Sequence, residues 1–212
     1  MVCPIFDMGG VMANIAISGG TALSLFFAYK VKFPSTLFSY HPTLLGFGWL
    51  ALTPFAIKYL KESKKETKKE AKIDKVQKHG YINTVVIAST IGGLFAIWRN
   101  KELMAASKKQ VAKHLVSLHA KVGAAAAALA LLAFSTSLYK TYIRKVGTTD
   151  YTWKDKLHRW LGILSYLTSG LAILLIVNGP WGKFNLGRVG MPIVSTLIVS
   201  IQSLVFGAFL FA

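Results

Sequence analysis

Five histidines stand out in a chain of 212 residues that has a single cysteine and eight acids. They are His41, His79, His114, His119 and His158. Histidine is the commonest metal ligand and titrates near neutral pH. Ionisable residues in a membrane setting are costly and functional by default. Four of the five fall at or near the start of successive long apolar segments. If those segments cross a bilayer, their starts alternate between its faces. His41 and His119 then share the face away from the chain ends, while His79 and His158 share the face of the ends. Two imidazoles from separate helices of a bundle can supply both axial ligands to the iron of a planar haem. Zinc would want a third ligand and usually a fourth, and no cysteine or acid adjoins either pair. The pattern predicts two b-type haems, one per leaflet. The plain alternative is that each histidine is an interfacial residue at a helix end. His114 lies at the rim and reads as a surface or substrate-side residue.

The elements that must position these side chains are six segments long enough to span a bilayer, each needing about 20 largely apolar residues. They run over 11–30, 41–60, 79–98, 115–139, 158–178 and 190–212. Backbone polar groups must be satisfied inside lipid, so the segments are predicted to be helices. The expected fold is all-α, a single transmembrane bundle of six helices over 1–212, with helices two to five as the haem-binding core. No separate soluble domain and no obvious repeat is read. No basic residue precedes the first segment and no small-residue cleavage site follows it, so it reads as a retained span.

Composition agrees with this reading. Lys and Arg number 25 against 8 Asp and Glu, a net charge of +17, yet the chain is 53% hydrophobic with a mean hydropathy of +0.48. Basic nucleic-acid-binding proteins carry their charge on a polar surface, and disordered basic tails have low hydrophobicity. Both classes are excluded, leaving apolar faces in lipid and charges at the edges. The connections 58–78 and 140–157 hold nine and five basic residues, against two, five and two in 30–40, 99–113 and 179–189. That bias places both termini on the more basic, cytosol-like side. Within the charged connection 61–78, Glu62, Glu66, Glu70 and Asp74 recur every four residues. Interleaved lysines offer helix-spaced pairs, so the second helix is expected to continue as a polar rod. That rod reads as a solvated face, or as a docking surface for a partner or for anionic headgroups.

Motifs around the histidines resemble those of the eukaryotic cytochrome b561 family. Tyr40-His41-Pro42 leads into TLLGFGWLAL, and Gln77-Lys78-His79 leads into GYINTVVIAS. HLVSLHAKVG, with His114 and His119, resembles the fourth-helix signature, and Leu157-His158-Arg159-Trp160-Leu161-Gly162 the fifth. The resemblance is most specific over about 35–178. It implies a transmembrane oxidoreductase of the ascorbate-dependent or ferric reductase type, with helices one and six packed outside the core. His41 and His119 would ligate the non-cytosolic haem b, and His79 and His158 the cytosolic one. Electrons would pass from a donor such as ascorbate to monodehydroascorbate or a ferric acceptor.

Basic residues nearby carry two readings. Arg159 and Lys78 beside one pair, and Lys121 beside the other, could neutralise haem propionates or attract an anionic donor. They could equally be snorkelling anchors. Lys72, Lys75 and Lys78 are candidate donor-site residues, and His114 a candidate on the acceptor side. The expected partners are membrane lipids and small-molecule donor and acceptor, with no nucleic acid; a homodimer or docking into a larger complex also fits. The long charged connection and the alanine run Ala124 to Ala128 motivate an alternative function, an accessory subunit of a larger, respiratory-type membrane complex. An endomembrane, an organelle membrane or the mitochondrial inner membrane would suit these flanks equally. A transporter is disfavoured because no mid-membrane acid is available for a relay.

Overall fold

The structure, a computed structural model, describes residues 8–140 and 156–210. Asp7, Asp150, Asp155 and most of the basic connection 140–157 lie outside the described residues. Among the described residues the chain is entirely helical: α1 (Met8–Lys30), α2 (Leu37–Gly46), a π-helical segment (Phe47–Leu52), α3 (Thr53–Lys65), α4 (Lys69–Ser107), α5 (Leu118–Leu138), α6 (Lys156–Val177) and α7 (Pro180–Leu210). With α2, the π segment and α3 forming one continuous rod, six helices are long and apolar enough to cross a membrane. An even number of crossings puts both ends of the chain on one face, called here the terminal face.

Local chemistry sets the helix starts that matter. The Thr36 hydroxyl accepts from Ser39 N at 3.2 Å and starts α2 five residues before His41. Ser117 caps α5 in the same way, accepting from Ala120 N at 3.2 Å, two residues before His119. Such caps satisfy backbone donors that the first turn leaves open.

The π segment has a readable cause. Pro54 has no N–H, so Leu50 loses the donor that an α-helix would give its carbonyl. Thr53 closes the wider turn instead, sending both its backbone N–H and its hydroxyl, the latter at 2.9 Å, to Gly48 O. The Leu50 carbonyl meets Gly20 of α1, where an added Cβ would lie 1.7 Å from the oxygen. Only glycine admits so close an approach.

Packing divides the bundle into two hairpins and a flank. The α2–π–α3 rod lies along α4, and α5 lies along α6. Between these two hairpins, packing is carried chiefly by α4 on α5, with the π segment touching α6. Helices α1 and α7 pair with each other, and Phe27 meets Trp181 edge-on at 6.1 Å. Large apolar residues such as Leu25, Phe95, Trp160 and Leu197 face outward. On a soluble protein such a surface would mark an interface; here it is the lipid-facing side.

Two helices are longer than their apolar stretches. With 39 residues, α4 is about 58 Å long, well beyond a hydrocarbon core of about 30 Å. The charged connection is a helical hairpin instead of one rod: α3 ends at Lys65 and α4 begins at Lys69. Lys75 crosses the gap to Glu62 at 2.7 Å and to Glu66 at 3.6 Å. The last helix opens ten residues earlier than expected, at Pro180, because Gly187, with φ 69°, joins a short leading helix to the span.

Candidate functional site

Each of the four histidines that head the apolar segments makes the same contact. His41 Nδ1 donates to Gly93 O at 3.0 Å, and His79 Nδ1 to Ala56 O at 2.9 Å. His119 Nδ1 donates to Ala172 O at 2.8 Å, and His158 Nδ1 to Ala133 O at 2.9 Å. A carbonyl only accepts, so Nδ1 carries the proton in every case. Nε2 is therefore the nitrogen that keeps its lone pair, which at His79 lies 3.2 Å from the Asn83 amide nitrogen, and the ring orientation is fixed.

The four contacts form two reciprocal clasps. In the first hairpin, His41 reaches the third span and His79 reaches back to the second. In the second hairpin, His119 and His158 do the same between α5 and α6. The clasping carbonyl lies fourteen residues after the histidine of its own helix at Gly93, Ala133 and Ala172, and fifteen after it at Ala56. The π segment lies in that one helix and supplies the extra residue. Two hairpins with no obvious sequence repeat are thus built to one plan. Fourteen helical residues separate the two histidine levels by about 21 Å.

Across the hairpins the rings meet. His41 and His119 have ring centroids 6.3 Å apart with planes at 86°. A single metal atom bound on opposite sides by two imidazoles, with bonds of about 2 Å each, places ring centres about 6 Å apart. The observed spacing and the free Nε2 atoms fit that arrangement. On the terminal face, His79 and His158 are electrostatic neighbours. No group of three or more histidine, cysteine or acidic residues gathers among the described residues. The donor set is two imidazoles per level, which suits a metal whose other ligands come from a macrocycle.

Between the levels lie buried side chains. Eight residues after each histidine lie Trp49, Ile87, Ala127 and Tyr166, all buried. The family's sequence profile for eukaryotic cytochrome b561 matches residues 40–179, which include all four histidines and both clasps. The chain belongs to the eukaryotic cytochrome b561 family. No curated protein matches it. This cytochrome b561 family member is accordingly an integral multi-pass membrane protein of the electron-transporting, b-type haem class.

The remaining candidates separate by location. Lys75 is held by Glu62 and Glu66, and Lys78 by Asp74 at 2.7 Å, so both bind carboxylates of the charged hairpin. Lys72 is half-buried in that hairpin. Arg159 is exposed beside His158 and lies within electrostatic reach of Lys64. Lys121 is exposed, two residues past His119. His114 stacks on Trp98 with centroids 3.6 Å apart and planes at 8°. On that same opposite face, Phe38, Asn100, Lys101, Lys108, Gln110 and Lys113 help line an open cleft. Lys101 is close enough to His41 to act on it electrostatically.

Sequence reasoning missed the clasping carbonyls, because a backbone oxygen has no side-chain signature. One signal was present. Ala56, Gly93, Ala133 and Ala172 are all small, as close approach of an imidazole from the next helix requires. At Gly93 an added Cβ would lie 3.0 Å from Leu45 and 3.3 Å from His41 O.

Proposed function

We propose that the two clasped hairpins hold two haems b, one between His41 and His119 and one between His79 and His158. The protein would then carry electrons from a donor at the terminal, cytosol-like face to an acceptor at the other. The observation that carries this reading is the set of four like Nδ1–carbonyl bonds, which puts the proton on Nδ1 and leaves the lone pair of each ring on Nε2. When bound, haem supplies a one-electron couple. The chain's work is to hold each imidazole in one tautomer, to keep the centre dry, and to offer cations at both mouths.

At the terminal face, Arg159 and Lys64 bring two positive charges together from α6 and α3. This favours an anionic donor such as ascorbate or a haem propionate. At the opposite face, Lys101, Lys108 and Lys113 line a cleft that suits an anionic acceptor, monodehydroascorbate or a ferric chelate. His114, stacked on Trp98, adds an aromatic pair to that side. Lys121 and Lys78 serve as flanking anchors.

The test is a visible spectrum of the purified protein before and after ascorbate, with haem measured by pyridine haemochrome. About two haems per chain, both reducible by ascorbate, is the expected result. A folded protein without haem would overturn the reading. Haem that ascorbate cannot reduce, in a chain that co-purifies with a larger complex, would favour an accessory subunit.

A further inference from the structure

The two-hairpin plan supplies its own internal controls. Three residues after the four clasping carbonyls stand Tyr59, Ala96, Thr136 and Leu175, and four residues after the four histidines stand Leu45, Asn83, Gly123 and Gly162. Among the described residues, only Thr136 and Asn83 of these eight bring a polar group onto a clasp. The Thr136 hydroxyl donates to Ala133 O at 2.7 Å, the oxygen that also receives His158 Nδ1 at 2.9 Å, and lies 3.4 Å from that Nδ1. The Asn83 amide nitrogen donates to His79 O at 2.8 Å and lies 3.2 Å from His79 Nε2 and 3.4 Å from Nδ1. Its N–H groups thus face both ring nitrogens, within hydrogen-bond distance of Nε2.

Both residues therefore act on one pair, His79 and His158. They act in one direction. A carbonyl that already receives a hydroxyl is a poorer acceptor for the His158 N–H. A weaker N–H···O bond leaves less negative charge on the imidazole, which then donates less to a metal. The amide N–H groups of Asn83 set the positive ends of their dipoles against the His79 ring. Each effect disfavours the more positive, oxidised state of whatever metal the rings hold.

We infer that Thr136 and Asn83 are positioning residues that raise the reduction potential of the terminal-face site above that of the opposite site. The inference rests on the di-haem reading and would make the two haems unequal through the hydrogen bonds around their imidazoles.

The test is a redox titration of the full-length haem-loaded protein, followed by its visible spectrum. His158→Ala identifies the terminal-face potential as the one that disappears. Thr136→Val and Asn83→Leu should each lower that potential, by up to about a tenfold change in the reduced-to-oxidised ratio, 59 mV for a one-electron couple. The other potential should stay in place. Thr136→Ser keeps the hydroxyl and should titrate like the parent. No shift, an upward shift, or equal shifts at both sites would overturn the inference while leaving the di-haem reading intact. A parent protein with fewer than two haems would overturn both, and the haem count shows which failure occurred.

Discussion

His41 and His119 come from different hairpins, yet their rings stand 6.3 Å apart at 86° to one another. Each ring is held from behind by a carbonyl of its own hairpin, Gly93 for one and Ala172 for the other. The pair is therefore set before anything binds between the rings. Replacing either histidine with alanine should lower the haem content from about two per chain to about one, with the His79–His158 site retained. Pyridine haemochrome on purified variants reads this directly; loss of both haems from either single variant would mean that the sites are not independent.

Gly93 is the clasp most exposed to steric test. A Cβ there would press on Leu45 and on the His41 carbonyl, forcing α4 away from α2. Gly93→Ala is expected to cost about 1–3 kcal/mol and to speed haem loss from the His41–His119 site. Gly80→Ala, where no atom lies within 4 Å of the added Cβ, should behave like the parent in the same haem-transfer assay.

The contact of Gly20 with the Leu50 carbonyl predicts a larger effect. Gly20→Ala should destabilise the bundle by more than about 3 kcal/mol, since backbone must move to admit the methyl group. Gly162→Ala, in open space, should gain a little from improved helix propensity. Thermal unfolding in detergent compares the two, and similar melting temperatures would contradict the close approach.

Tyr166 is 1% exposed, and its hydroxyl has no hydrogen-bond partner among the described residues. Removing a buried, unsatisfied polar group releases its desolvation cost. Tyr166→Phe should therefore raise stability by about 1 kcal/mol, seen as a rise in melting temperature with unchanged haem content. A fall would reveal a partner for the hydroxyl.

Charge at the opposite face should be visible in kinetics. Lys101→Glu combined with Lys108→Glu should slow oxidation of the reduced protein by an anionic ferric chelate several-fold, and should flatten its salt dependence. A cationic oxidant should be accelerated by the same change. Stopped-flow measurements at varied ionic strength test both signs.

Much of this architecture could be read from residue types. Four histidines at the heads of apolar segments, and the lengths of those segments, pointed to the bundle and to two histidine levels. The clasps were hidden because their acceptors are main-chain atoms. The common plan of the hairpins was hidden because the corresponding middle residues are Trp49, Ile87, Ala127 and Tyr166, which share no chemistry, and because one helix carries an extra residue. The partners of Lys75 were hidden for a different reason. Spacing along one helix suggests partners three or four residues away, whereas its carboxylates lie across a turn, at Glu62 and Glu66.

The buried layer formed by Trp49, Ile87, Ala127 and Tyr166 has an electrical consequence. None of the four carries a carboxylate, amine or imidazole to relay a proton, so an electron crossing past them would travel without a companion proton. Transfer between levels about 21 Å apart, in a core about 30 Å thick, would be electrogenic. Moving one charge across a full potential of 100 mV is worth about 2.3 kcal/mol, and most of that drop would fall between the two histidine levels. The direction and rate of flow would answer to membrane voltage as well as to the supply of donor and acceptor.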